Sequence, residues 1–340
     1  VKKTLALTLA AGLTVSLASC GSEGSTSAIE VDNCGDTVPL DGPPENVTLL
    51  KSASVPTLQH LGVLDRVKNR AGKYPTAYYD DATNDALAAI PSLTDKTDAS
   101  GHLQISREEV VATGPDLVLG ETDTVNRQTL ASSDVPLIEE PALCGSLERP
   151  VTWHDAWDQI RLYGTVFDRG AEAEEYVTAL QDRLASIEDA ATPTKPDGSP
   201  YRIAVLYPTV GGGVTYAYGT GSMAAPVVEA AGAENVYADQ SDRVFEVTAE
   251  DIVDRNPEVV LALYSDGSAD EIVGAVKGLP GMDRTTAGQR GQVLPLLLNY
   301  AEPPTPLAVD GLEQVDDYLR DLPDASGAAA PDPASGGTRR

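Results

Sequence analysis

The sequence predicts an α/β protein of two similar lobes with parallel sheets, joined by one long helix. Three observations carry this reading. The pattern from Ile105 to Leu119 returns as Val247 to Leu261. Around each copy, short apolar runs alternate with helix-like segments, as in βαβ units. Between the copies, apolar residues recur at helical spacing and no strand pattern interrupts them.

The chain opens with Lys2 and Lys3, then an apolar core from Leu5 to Leu17 that is too short to span a bilayer. Leu17-Ala18-Ser19-Cys20, followed by Gly21, matches the bacterial lipobox, whose cysteine is acylated. The expectation is a lipoprotein signal peptide over 1–19, lipidation at Cys20 and a polar tether over 20–33. The mature protein would then be extracytoplasmic, anchored by lipid to the outer face of the cell membrane. No other segment is long enough to cross a bilayer. With 24 basic and 52 acidic residues the net charge is −28, which argues against nucleic acid, since phosphate neutralisation needs a basic face. Once Cys20 is set aside, Cys34 and Cys144 remain, and in an exported chain they most simply form a disulfide. Two thiols and three scattered histidines (His60, His102, His154) make a poor metal site.

The first lobe, 34–150, starts with a strand from Val47 to Lys51 and a helix from Val55 to Leu61 closed by Gly62. The second, 193–323, repeats that order with a strand from Ile203 to Tyr207 and a helix from Met223 to Ala231 closed by Gly232. In each copy of the long motif a hydroxyl stands three residues before an acid, Ser106 before Glu109 and Thr248 before Asp251, which is a capping box. The helix stops before Pro115 or Pro257 and a buried strand follows. Val135 to Ile138 and Val293 to Leu298 are further short strands, and Pro136 and Pro295 mark them as strand ends or edges. Between the lobes, 151–192 reads as helix, with Asp168-Arg169-Gly170 as an interruption. Its second part would extend about 30 Å, enough to bridge the lobes. The Ala-, Pro- and Gly-rich tail, 324–340, reads as disordered.

The capping boxes leave one acid over in each copy. Glu108 and Glu250 sit at the second helical position, where capping does not need them. They either complement the helix dipole or form a matched two-pronged docking surface; the repeat alone favours the dipole.

Two repeated α/β lobes joined by a helix behind a lipobox resemble the substrate-binding lipoproteins of ABC importers for iron-siderophores, cobalamin and haem. The resemblance rests on Cys34-Gly35, Leu61 to Val67, Ile105 to Leu119, Tyr216 to Gly219, Ala231 to Val236 and Glu250 to Leu261. It implies a monomer that delivers a bulky metal chelate to an ABC permease, with no cofactor and no catalysis. It also implies that Glu108 and Glu250 pair with permease arginines, and that the ligand sits in a preformed cleft between the lobes, at the C-terminal ends of the strands.

Loops that would line the cleft begin at Ser52, Lys73, Glu121, Tyr207, Arg243, Tyr264 and Tyr300. Thirteen tyrosines against two tryptophans and two phenylalanines make a skewed aromatic set. Tyr74, Tyr207, Tyr216, Tyr218, Tyr264 and Tyr300 are candidates to pack on a chelate and donate to its oxygens; others of the thirteen would be core tyrosines. Thr122 is a polar candidate in the Glu121 loop. Lys73, Arg127 and Arg243 are the basic candidates, but Glu121 and Asp123 share a loop with Arg127. This mixed mouth suits a neutral or cationic ferric hydroxamate better than an anionic tris-catecholate. Cobalamin and haem are the alternatives within the family. Haem needs an axial Tyr or His, and the histidines fall outside the loops. Gly211 to Gly213 lack the lysine of a phosphate loop and read as a hairpin or close-approach turn. An exported hydrolase is the alternative from another class, but no Gly-x-Ser-x-Gly elbow or His-Glu-x-x-His motif occurs.

Overall fold

The computed structural model describes residues 28–98, 102–145, 147, 149–190 and 192–323. The expected signal peptide, Cys20 and the C-terminal tail lie outside the described residues.

The first lobe opens with a hairpin, β1 (Ile29–Asn33) antiparallel to β2 (Asp36–Leu40). β1 falls inside the segment expected as tether, so the folded lobe begins earlier than the sequence suggested. Its alternating exposed and buried residues lay Val31 and Val38 on the core. The chain continues through β3 (Val47–Leu49), α1 (Val55–His60), β4 (Val67–Arg70), α2 (Asp81–Ala89), α3 (Arg107–Val111), β5 (Leu117–Leu119), α4 (Arg127–Leu130) and β6 (Leu137–Ile138). The last four strands form a parallel sheet in the order β4-β3-β5-β6.

Two helices follow, α5 (Trp153–Val166) and α6 (Gly170–Glu188). The second lobe comprises β7 (Arg202–Pro208), β8 (Thr215–Tyr218), α7 (Ala224–Ala230), β9 (Glu234–Asn235), β10 (Val244–Val247), α8 (Ala249–Arg255), β11 (Val259–Tyr264), α9 (Ala269–Lys277), α10 (Thr286–Arg290), β12 (Val293–Leu297) and α11 (Leu307–Arg320). Its sheet runs β10-β8-β7-β11-β12, with β9 also on β7. β7, β9, β11 and β12 are parallel, whereas β8 runs antiparallel to β7 and to β10. Gly211, Gly212 and Gly213, all at positive φ, make the β7–β8 turn. The proline reading holds in both lobes: β6 and β12 are edge strands, where a residue without an N–H costs least.

α6 is the long bridge, and α5 folds back along it. Arg161 Nε donates to Glu174 Oε1 at 2.8 Å, and a Cβ on Gly164 would stand 2.5 Å from the Ala173 Cβ, so only glycine admits this approach. Near its start α6 meets the first lobe, where the Tyr176 ring stacks on His60 of α1 with centroids 3.7 Å apart. Further along it meets the second, where Arg183 Nη2 donates to Asp310 of α11 at 2.7 Å. Leu49, Leu119, Tyr163, Leu180, Val205 and Leu312 therefore belong to one continuous apolar core that runs from sheet to sheet through the helices. Each such side chain contributes about 1.5–3 kcal/mol by burial, and this shared core fixes the lobes to the rod. The outer face of each sheet packs separately, around Val118 and Leu130 in the first lobe and Val260 and Ile272 in the second.

Cys34 and Cys144 are bonded, with Cα atoms 5.9 Å apart. The bridge ties the β1–β2 turn to the segment after β6. It closes a loop with a sequence separation of 110 residues, long enough for the loss to be large. Cys34→Ser with Cys144→Ser is expected to lower unfolding free energy by about 2–5 kcal/mol, read by denaturant titration. A non-reduced digest should give one linked peptide; two free thiols would refute the bridge.

Candidate binding cleft

The ends of the two sheets meet across a cleft. Lys73, just past β4, pairs with Asp266, just past β11. The Asn299 backbone N–H donates to the Tyr78 hydroxyl at 2.9 Å, and Asn299 Nδ2 donates to Ser52 Oγ at 2.9 Å. The Tyr300 hydroxyl donates to the Ala77 carbonyl, and its ring meets Tyr78 edge-on at 5.1 Å. The C-terminal ends of the strands therefore face each other, as open α/β sheets require at a ligand site.

Each lobe places one cation against one buried carboxylate, just past an edge strand. In the first, Lys51 pairs with Glu139, whose side chain is 0% exposed. Glu139 also accepts the Glu121 and Glu140 amides at 2.8 and 2.7 Å. In the second, Arg243 Nη1 donates to Glu302 Oε1 at 3.1 Å, and the Glu302 side chain is 1% exposed. Ser222 Oγ and the Met223 amide donate to Glu302 Oε2 at 2.5 and 3.0 Å. Burial raises the Glu302 carboxyl above its ordinary range, while Arg243 and the other two donors hold it down. Both cations stay about one-third exposed, at 32% and 33%, and each is neutralised from behind.

The sequence candidates divide. Tyr207, Tyr264 and Tyr300 stand close enough to Tyr78 to influence its hydroxyl, so both lobes contribute to one tyrosine cluster. The Tyr207 hydroxyl lies 2.6 Å from Ser265 Oγ. Tyr216 is half-buried and sits opposite Tyr207 in the β7–β8 ladder. Lys73 and Arg243 occupy the cleft as described. Four candidates are turned to structural use. The Tyr74 hydroxyl donates to the Leu49 and Ala71 carbonyls at 3.1 and 3.0 Å, and its ring lies under the Arg70 guanidinium. Tyr218 is only 5% exposed and belongs to the core. Arg127 donates to the Leu137 carbonyl and to Asn33, pinning the β1–β2 hairpin to the sheet. Thr122 closes its own turn, with its hydroxyl accepting the Val125 amide at 3.0 Å.

Sequence reasoning missed Lys51, Tyr78, Glu139, Asp266, Asn299 and Glu302. Lys51 was readable as the polar end of an apolar strand, and Glu302 as the acid just past the last strand; the rest carry no local signal. Glu140, beside Glu139, faces inward and accepts the Tyr163 hydroxyl at 3.0 Å. Burial, and next the Glu139 charge, push its carboxyl up to about 8. It lines a cavity of about 390 Å³ with Gln159 and Pro304, away from the tyrosine cluster.

The repeated acids lie outside the cleft. Glu108 is the second residue of α3, with its side chain 77% exposed, and Glu250 is the exposed second residue of α8. The α3 capping box is complete between Ser106 and Glu109. At α8 the Thr248 hydroxyl accepts the Asp251 amide, but the Asp251 carboxylate is held by Arg255 Nε at 3.3 Å. The second box is therefore half made, because a stronger cationic donor competes for the acid.

Two βα lobes on a helical rod, with an aromatic and ion-paired slot between them, define a solute-binding protein of the transport type. The family model described as Periplasmic binding protein matches residues 47–296, and the chain belongs to that family. Among solved structures it is similar to one from an ABC-type Fe3+-hydroxamate transport system of Saccharomonospora viridis DSM 43017. The two are 47% identical, with a TM-score of 0.81, over 86% of this chain and 98% of that one. A periplasmic binding protein from Veillonella parvula DSM 2008 shares the fold at 21% identity and a TM-score of 0.65, over 86% and 91% of the two chains. So does a periplasmic haem-binding protein from Roseiflexus sp. RS-1, at 19% identity and a TM-score of 0.62, over 81% and 99%. No curated protein matches the sequence.

Proposed function

We propose that this protein is a monomeric, lipid-anchored receptor on the outer face of the cell membrane. It takes a ferric siderophore of the hydroxamate type into the cleft and delivers it to an ABC permease that docks on Glu108 and Glu250. The observation that carries the ligand class is the pairing of each cleft cation with a buried carboxylate, Lys51 with Glu139 and Arg243 with Glu302. A tris-catecholate brings three negative charges and needs unpaired cations to offset them. A ferric trihydroxamate is neutral or weakly cationic. It needs aromatic surface and hydroxyl donors, which Tyr207, Tyr216, Tyr264 and Tyr300 supply. The similarity to the Fe3+-hydroxamate transport protein supports the same reading.

Intrinsic fluorescence titrated with a ferric trihydroxamate, a ferric tris-catecholate, ferric citrate, haemin and cobalamin tests it. The trihydroxamate is expected to bind tightest, with the tris-catecholate weaker by about 100-fold. Tightest binding by haemin, cobalamin or the catecholate would sink the assignment.

A further inference from the structure

The bonds between the lobes are concentrated at one end of the cleft. Ser52, Lys73, Ala77 and Tyr78 follow β3 and β4, and β4 is the edge strand of its sheet. Asp266, Asn299 and Tyr300 follow β11 and β12, and β12 is the edge of the other sheet. Across this edge run the Lys73–Asp266 ion pair, the Tyr300 hydroxyl to the Ala77 carbonyl, the Asn299 amide to the Tyr78 hydroxyl and Asn299 Nδ2 to Ser52 Oγ. Resting on the functional reading above, we infer that these residues are a latch that holds the cleft shut at this end, and that its opening gates exchange of the chelate.

The composition of the latch suits a gate. Its ion pair is partly exposed, with side chains 36% and 67% accessible, and such pairs hold weakly. Its hydrogen bonds are exchanged for bonds to water on opening, so each shifts the opening equilibrium by only about fivefold. Opening also parts the edge-on contact between Tyr300 and the buried Tyr78 ring, while the rod keeps the lobes attached through its own packing. Asn299 is the centre of the device: its backbone N–H and its side chain each reach a different loop of the first lobe. A protein whose binding-competent form is only partly populated associates more slowly in proportion. Loosening the latch must therefore speed association.

The test is Asp266→Asn combined with Asn299→Ala in the full-length protein. In the absence of ligand, amide hydrogen exchange over residues 298–301 is expected to accelerate about fivefold or more. Stopped-flow association of ferrioxamine B, a linear ferric trihydroxamate, is expected to accelerate by a similar factor. Asp266→Asn alone, at an exposed position, should move both readouts in the same direction by less, and it guards against loss of folding in the double variant. Unchanged exchange overturns the latch, and faster exchange with unchanged association overturns its gating role. A wild-type protein that binds no ferric trihydroxamate overturns the functional reading itself, and the gate with it, whatever the exchange shows.

Discussion

Glu108→Ala combined with Glu250→Ala is expected to abolish uptake of the chelate in cells while leaving its affinity for the purified protein within about twofold. Both acids are exposed, at the second position of short helices on different lobes, so their removal opens no cavity in either core. Each helix is held to its lobe by an arginine beneath it. Arg107 Nε donates to the Thr129 carbonyl at 2.5 Å, and Arg255 Nη1 donates to the Val236 carbonyl at 2.5 Å. The acids are thus presented on anchored elements, and the shared core of the rod sets their spacing. Truncating one partner of a charge pair that becomes buried on docking costs about 2–5 kcal/mol. Losing two would weaken docking by about 1000-fold or more. Single variants should retain partial uptake. Radio-iron uptake in cells, with fluorescence titration of the purified variant, reads both quantities. Lost affinity with normal uptake would refute the docking role.

Glu139→Gln combined with Glu302→Gln is expected to reverse the charge preference of the cleft. Glutamine keeps the shape. At Glu302 its oxygen can still accept from Ser222 and Met223, which share Oε2. At Glu139 the Glu121 and Glu140 amides use different oxygens, and one of them loses its acceptor. The main change is the loss of the negative charges behind Lys51 and Arg243. Because each cation is about one-third exposed, water can solvate it once its partner is neutral, and the fold should survive. Two freed positive charges facing a trianionic tris-catecholate should raise its affinity by about 100-fold at low salt, with the gain shrinking as salt is added. Affinity for a neutral ferric trihydroxamate should change by less than about threefold. Equal gains for both ligands, or none for the catecholate, would mean that the buried carboxylates do not set the charge selectivity.

Sequence alone determined the plan of two βα lobes and a helical rod, though not the β1–β2 hairpin or the antiparallel β8, because the features that specify that plan are local. The capping hydroxyls Ser106 and Thr248, the glycines after α1 and α7, and the prolines at β6 and β12 act over a turn or a strand. Their repetition in both halves was enough to read two lobes. The exposed acids Glu108 and Glu250 were legible for the same reason, since their positions are defined by the caps beside them. The tertiary structure alone decided which side chains make the site. Lys51 and Glu139 are separated by 88 residues, Arg243 and Glu302 by 59, and Lys73 and Asp266 by 193. In a chain with 52 acids nothing local marks which carboxylate will stand behind which cation. The tyrosines divide likewise: Tyr74 and Tyr207 look alike at a strand end, and only the carbonyls within reach send one hydroxyl into its own lobe and leave the other in the cleft cluster. Burial and pairing belong to the meeting of distant strand ends, which local pattern does not encode.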